Sequence, residues 1–276
     1  MISINKPAFN NIDILKKCVG AYPSATLNNA ISHFQKIYGS YDQLMTHGEG
    51  YKIDASQELE NLDKKFMLKL YKEQFASKKG GCREEYDKIL ASAPRQKCPM
   101  CSESIVTALD HHFPKSSYFL YSIYPNNLVP ICSRCNGEKK HTKPDAVTKQ
   151  FIHPYYDDFS KEQWFEVRFI SQNPIKLIYE CKENDHLGEE ASNKLKSHFK
   201  RLKLADLYTS NAIVKLGDLK NIFRPLLKTK DWFSVCEELK TERDMVSGRP
   251  DSWEYALFEK LIKEDWYIKG GFVNID

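Results

Sequence analysis

Two Cys-x-x-Cys pairs constrain the fold of this chain more than any other feature of its sequence. Cys98 pairs with Cys101, and Cys132 pairs with Cys135. Four thiolates form a closed tetrahedral zinc site, so we expect a structural zinc ion with no open position for catalysis. The alternative is a redox role for either pair, but no thioredoxin-like strand and helix pattern precedes them. The segment between the pairs, residues 102–131, is long enough to hold a strand pair with chemistry of its own.

Polar residues suited to phosphodiester hydrolysis lie inside this segment and directly after it. Asp110 and His111 lie between the pairs, and Asn136 follows the last cysteine. Hydrolysis needs a base that activates water and a cation that takes up charge on the leaving oxygen. A largely neutral histidine suits the first role, and carboxylate and amide oxygens suit a hard cation such as Mg²⁺. The residue types therefore predict a nuclease site, although a lone His111 could also be a core histidine.

The stretch resembles the HNH nuclease motif, whose fold is the ββα-metal hairpin and helix. The resemblance implies that Asp110 is the metal-binding acid and His111 the general base. It implies further that Asn127 orients the base through backbone hydrogen bonds and that Asn136 binds the metal from the helix. Members of the family often carry the same two Cys-x-x-Cys pairs. This chain has Asn rather than His at the third motif position, which favours Mg²⁺ or Mn²⁺ over a softer ion.

Neighbouring residues leave alternatives open. Adjacent strand residues face opposite sides, so we expect His112 to be a packing or substrate-side residue. Asn126 competes with Asn127 for the orienting role, and we favour Asn127 because it directly precedes the Leu-Val-Pro run. Three lysines are predicted either to contact phosphates or to form a solvated face: Lys115, Lys139 and Lys140.

A longer resemblance covers about residues 1–226. Four segments occur in one order, LDHHFPKS, NLVPICSRCN, HPYYDDF from His153 and HFKRLKLADLY from His198. In this order they resemble the HNH subunit of Septu-type and retron-linked antiphage defence systems. The resemblance implies an ABC/SMC-like ATPase partner that gates the nuclease and, in retron-linked systems, a reverse transcriptase with its nucleic acid. Without the resemblance, His153 and His198 are simply turn and helix-face residues.

Periodicity predicts an α+β protein that is mostly helical. We expect an N-terminal helical region at 1–95, the zinc-stapled nuclease core at 96–150, and a hairpin plus helices at 151–276. Ser56, with Glu58 and Glu60, is predicted to open a helix whose apolar stripe ends at Phe75. Alternating residues around Asn173-Pro174 predict the hairpin, and residues 186–265 have helical periodicity throughout.

Charge gives only local information about partners. The net charge is +4, so no global field indicates a nucleic-acid-binding protein. A run without acids can follow a phosphate backbone or simply keep the surface soluble. Its basic residues are Lys194, Lys196, Lys200, Arg201 and Lys203, of which we predict Lys200, Arg201 and Lys203 as nucleic-acid contacts. Acid-rich stretches near Asp63 and Asp244 are better suited to a protein partner.

The remaining cysteines and the apolar pattern bear on the compartment. Cys18, Cys82, Cys181 and Cys236 lack matching spacing, which favours a reducing compartment over a disulfide framework. No stretch has the apolar length of a signal peptide or membrane span, so we expect a cytoplasmic protein. Its predicted substrate is DNA, with RNA such as tRNA as an alternative. A zinc-containing adaptor that binds nucleic acid or a partner without cutting is the competing hypothesis.

Overall fold

The chain folds into two compact units of the α+β class. The computed structural model describes residues 2–20, 25–57, 59, 62–141, 143–144 and 146–275, with only the backbone of 25–29, 147 and 185. The larger unit comprises residues 2–158 and 189–198, and the smaller comprises residues 159–188 and those from 199 onward. The boundaries predicted after residues 95 and 150 both lie inside the larger unit. The three-part domain division stays a prediction.

The larger unit surrounds one two-stranded antiparallel sheet with helices. Its elements are α1 (Asn11–Val19), α2 (Ala25–Thr46), α3 (Lys64–Leu70), α4 (Arg83–Ala91), β1 (Ala108–His111), β2 (Leu128–Ile131) and α5 (Ser133–Lys139). A single π turn, Tyr71–Phe75, continues α3. The middle of a later helix, α6 (Gly188–Arg201), also belongs to this unit.

Aromatic packing forms the core of the larger unit. Phe34, Tyr41 and Phe113 are fully buried. The ring of Tyr38 stacks on that of Tyr124 with centroids 4.0 Å apart, and Tyr41 meets Phe113 edge-on at 5.5 Å. Aromatic rings bury large apolar areas and favour such stacked or edge-to-face geometries. Helix α2 is thereby fixed against the segment that connects β1 to β2.

The predicted helix start at Ser56 is wrong for the described residues. Asp63 caps α3 by accepting a hydrogen bond from the Phe66 backbone N–H at 2.7 Å. Ser56 instead donates its backbone N–H to the Asp54 carboxylate at 2.8 Å, which closes a local turn. Glu58 and Glu60 lie outside the described residues.

The prediction that Cys18 and Cys82 stand alone is also wrong. The structure joins them in a disulfide between α1 and the start of α4, with Cα atoms 6.0 Å apart. Both side chains are fully buried. Their sequence separation is 64 residues, and no local spacing pattern reveals a pairing across that distance.

The sheet of the larger unit leads directly into a helix, in the order β-β-α. Asp110 pairs with Val129 and His111 with Leu128. One residue, Cys132, separates β2 from α5, and its sulfur caps the helix by accepting from the Cys135 N–H at 3.4 Å. The register therefore places the acidic and histidine residues of β1 beside the start of α5.

The smaller unit is a β-hairpin packed against helices, as the sequence predicts. Its elements are β3 (Phe165–Gln172), β4 (Ile175–Cys181), α7 (Leu204–Phe223), α8 (Leu226–Thr229), α9 (Trp232–Met245), α10 (Trp253–Leu261) and α11 (Asp265–Ile268). Alternate residues of both strands are buried, and the ring of Phe165 packs on that of Tyr208 at 5.2 Å. Among the described residues, no helix is long and apolar enough to cross a membrane.

A buried ion pair fixes the middle of α6 within the larger unit. The Lys194 ammonium lies 2.8 Å from the Asp157 carboxylate, and the two side chains are 6% and 11% exposed. Lys194 therefore does not belong to an exposed basic face.

We expect Lys194→Met to destabilise the protein by about 3 kcal/mol, because removal of one partner leaves a buried charge uncompensated. Urea unfolding followed by circular dichroism measures the change. Lys200→Met is the matched control, since Lys200 is an exposed lysine of the same helix. Equal unfolding midpoints for the two variants would contradict the prediction.

Candidate functional site

Four buried cysteines converge on one point of the larger unit. The sulfur atoms of Cys98, Cys101, Cys132 and Cys135 all lie within 4.8 Å of one another. Sulfurs bound to one zinc ion at about 2.3 Å would be roughly 3.8 Å apart, so the group fits tetrahedral zinc. Among the described residues, no other cluster of three or more His, Cys, Asp or Glu ligand atoms is present. The predicted cysteine ligands are therefore brought together by the fold.

Local backbone turns aim the four sulfurs at this point. The Ser102 N–H donates to the Cys98 carbonyl at 2.7 Å, and the Cys98 N–H donates to the Ser104 carbonyl at 2.8 Å. Ser102 has φ of +65°, which lets the chain reverse directly after the first pair. The second pair uses the end of β2 and the first turn of α5. Two separate turns thus face each other across the metal position.

His198 of α6 braces the first cysteine turn. Its Nε2–H donates to the carbonyl of Met100 at 2.8 Å, and its Nδ1 accepts from the Ile152 N–H at 3.3 Å. Burial lowers the pKa of His198 to about 4, so the ring is neutral at physiological pH and has the one donor and one acceptor that this arrangement needs. This role is invisible in the sequence, because the two hydrogen-bonded residues are 98 positions apart.

His111 projects from the last residue of β1 into a buried site. Its Nε2 lies 2.8 Å from the carbonyl oxygen of Ser122, so this nitrogen carries the proton and donates. The ring meets the edge of Tyr71 with centroids 4.5 Å apart. Burial lowers the pKa of His111 to about 3, and the charges of Lys115 and Lys139 act in the same direction. Nδ1 is therefore the proton-accepting nitrogen, and none of the described residues forms a hydrogen bond to it.

Asp110 forms a close ion pair with Lys139. The Lys139 ammonium lies 2.7 Å from Asp110 Oδ2 and donates to the His111 carbonyl at 2.7 Å. The lysine side chain is only 3% exposed, whereas that of Asp110 is 19% exposed. Lys139 was predicted to contact phosphate or solvent, but the structure places it in this buried bridge from α5 to β1. Oδ1 of Asp110 has no hydrogen-bond partner among the described residues.

Asn136 lies on the exposed side of α5, one turn before Lys139. No hydrogen bond joins the Asn136 and Asp110 side chains in the described part of the chain. Both residues are accessible from solvent, and their shared metal site stays a prediction.

Asn127 holds the loop that follows His111. Its fully buried amide accepts from the Phe113 N–H at 2.8 Å, and it donates to the carbonyls of Phe113 at 3.1 Å and Tyr121 at 3.2 Å. Asn126, its competitor for this role, instead donates to the Asp42 carboxylate at 3.0 Å. The amide of Asn127 thus fixes the backbone two residues beyond His111.

His112 packs away from this site against the HPYYDDF segment. Its ring lies 4.1 Å from that of His153, centroid to centroid. His153 donates from Nε2 to the Asn126 carbonyl at 3.1 Å, and the Tyr155 hydroxyl donates to the Leu128 carbonyl at 2.7 Å. Burial lowers the pKa values of His112 and His153 well below the ordinary range. The segment therefore supports both ends of the loop that precedes β2.

The predicted phosphate contacts occupy different environments. Lys115 is half-buried, with its ammonium 4.5 Å from the centre of the Tyr71 ring, and among the described residues no carboxylate forms an ion pair with it. Burial lowers the pKa of Lys115, and the Asp110 charge partly opposes this effect. Lys140 is exposed at the end of α5. Lys200, Arg201 and Lys203 belong to the smaller unit, where Lys200 and Lys203 are exposed.

The fold and site define an α+β protein with four buried cysteines, positioned to hold a metal ion, beside a β-β-α unit. The chain is similar to Protein ea31 of Escherichia phage lambda, with 29% identity over 292 aligned positions. The alignment covers 96% of this chain and 98% of that protein. No family model matches the chain. No solved structure matches it either.

We expect His198→Leu to weaken zinc retention about tenfold, because loss of a supporting hydrogen bond releases the turn that presents two ligands. Transfer of zinc from the intact chain to a chromogenic chelator measures the effect. His186→Leu is the control, since His186 is exposed and pairs with Glu162 far from the cysteines in sequence. Unchanged transfer by a folded His198→Leu protein would refute the brace.

Proposed function

We propose that this protein is a metal-dependent endonuclease of the HNH type, which hydrolyses phosphodiester bonds in nucleic acid. One observation carries the proposal: in a β-β-α unit flanked by four converging cysteines, an acidic residue precedes a neutral histidine whose Nδ1 has no hydrogen-bond partner among the described residues. The β-β-α order of elements supports the proposal, because the motif that the sequence resembles has the same order.

In this proposal, His111 is the general base. Donation from Nε2 to the Ser122 carbonyl fixes both the tautomer and the ring, so Nδ1 is ready to accept a proton from water. The neutral form is the one that can accept a proton, and burial keeps the ring neutral at physiological pH while making it a weaker base than an exposed histidine. Asn127 acts as a positioning residue, because its amide fixes the backbone beyond His111.

Charge near His111 suits a phosphate group. Lys115 presents an ammonium without a carboxylate partner among the described residues, and the ring of Tyr71 holds it in place. A lysine in this position can neutralise a phosphate oxygen during attack by water. Asp110 and Asn136 would hold Mg²⁺ or Mn²⁺, which supplies stabilisation of the leaving 3′-oxygen when bound. Oδ1 of Asp110 is the oxygen that this role requires, since Lys139 contacts Oδ2.

The proposed chemistry uses water as the nucleophile and does not require a 2′-hydroxyl. DNA is therefore the first substrate to test, and structured RNA such as tRNA is the second. An ATPase partner, a retron reverse transcriptase and a role in antiphage defence rest on the sequence resemblance alone, and they stay predictions. The cytoplasmic location likewise stays a prediction.

We expect metal-dependent cutting of nucleic acid that decreases at least about 100-fold in His111→Ala, because the general base is lost. The assay offers plasmid DNA, single-stranded DNA and total tRNA, with Mg²⁺, Mn²⁺ or EDTA. It uses the chain alone and with an ATPase encoded beside it. His47→Ala is the matched control, since His47 is a solvent-accessible histidine at the end of α2.

Cutting by His111→Ala at the wild-type rate would show that the assigned base is wrong. If no substrate is cut under any condition while the protein still binds nucleic acid, the non-catalytic zinc adaptor replaces the nuclease.

A further inference from the structure

The ion pair between Lys139 and Asp110 lies at the position where the proposed nuclease would bind its catalytic cation. The Lys139 ammonium is within hydrogen-bonding distance of one Asp110 oxygen and of the His111 carbonyl, at 2.7 Å in both cases. Its side chain is 3% exposed, so solvent screens its charge weakly. A lysine that merely covered the surface would not be held by two acceptors in the interior.

The charges around Asp110 oppose the binding of a free divalent cation. Asp110 contributes one negative charge, which Lys139 already neutralises in a close contact. Lys115 adds a second ammonium that interacts with the same carboxylate. Among the described residues, a divalent ion at Oδ1 would therefore meet the ammonium groups of Lys115 and Lys139 beside the Asp110 carboxylate.

A phosphodiester reverses this balance. Each phosphate brings a full negative charge and oxygen atoms that can share the coordination of a hard cation, as Mg²⁺ commonly does in proteins. Lys139 can keep both of its contacts, because the cation needs only Oδ1. The same two ammonium groups that repel a free cation attract the phosphate.

We infer that Lys139 makes divalent-cation binding at Asp110 depend on nucleic acid, so that the catalytic ion enters with the phosphate and not before it. The inference rests on the proposed function and adds an order of binding to it. Lys139 is a positioning residue in this account, since it acts through the charge of Asp110. Its consequence is a nuclease that holds no catalytic metal until substrate is present.

Binding of Mn²⁺, followed by loss of the free-ion electron paramagnetic resonance signal, tests this inference. The full zinc-loaded chain carries His111→Ala in every sample, so that nucleic acid stays intact. We expect a DNA duplex or tRNA to tighten Mn²⁺ binding at Asp110 at least about tenfold, because the added phosphate charge offsets the two ammonium groups. Samples that also carry Asp110→Asn measure the Mn²⁺ held by the nucleic acid itself, and this background is subtracted.

Lys139→Met supplies the second arm. In the absence of nucleic acid, removal of the Lys139 ammonium should tighten Mn²⁺ binding at least about tenfold. Addition of Asp110→Asn to the Lys139→Met protein should abolish this increase in affinity. Lys140→Met is the matched control, because Lys140 is the next residue and is exposed. Circular dichroism and zinc content establish that each variant is folded.

Two results would overturn the inference. One is equal Mn²⁺ affinity for a folded Lys139→Met protein and its control. The other is wild-type Mn²⁺ binding that is equally tight with and without nucleic acid, which decides the matter even if Lys139→Met does not fold. Tighter binding in Lys139→Met without cleavage of any substrate by the otherwise unmodified chain would refute the nuclease proposal and leave the charge balance at Asp110 intact.

Discussion

Convergence of four cysteine sulfur atoms is the constraint on which the rest of the larger unit depends. The first cysteine pair precedes β1 and the second follows β2, so a shared metal ion would close the whole β-β-α segment at its base. A sheet of two four-residue strands has little stability of its own. A metal ion held by the four cysteines would therefore stabilise this small sheet at the centre of the unit.

Buried polar side chains supply the second level of support. Asn127 fixes the start of the connection from β1 to β2, and His153 fixes the end of the same connection. His198 fixes the first cysteine turn. Each of these side chains satisfies backbone groups that would otherwise be buried without partners, which is costly in a protein interior. The β-β-α order of elements needed for the proposed chemistry is thus held by hydrogen bonds from three different parts of the chain.

The charges around His111 and Asp110 also depend on how deeply the neighbouring side chains are buried. His111 is neutral because it is buried and lies near ammonium groups, and the Asp110 carboxylate lies 2.7 Å from the Lys139 ammonium. The neutral His111 ring, the Asp110 carboxylate paired with Lys139, and the Lys115 ammonium, which forms no ion pair with a described carboxylate, together favour an anionic ligand over a free cation. This balance joins the proposed hydrolysis to the inferred order of binding, since one set of charges serves both.

The sequence by itself determined the cysteine ligands, the hairpin around Asn173-Pro174 and the helical C-terminal part. Spacing and periodicity are local patterns, and such patterns can be read directly from the linear sequence. Only the tertiary structure decided that Cys18 bonds to Cys82, that Lys139 is buried on Asp110 and that His198 holds Met100. These contacts join residues far apart in the chain, and whether a lysine is solvated or a histidine is buried depends on packing that no local pattern records.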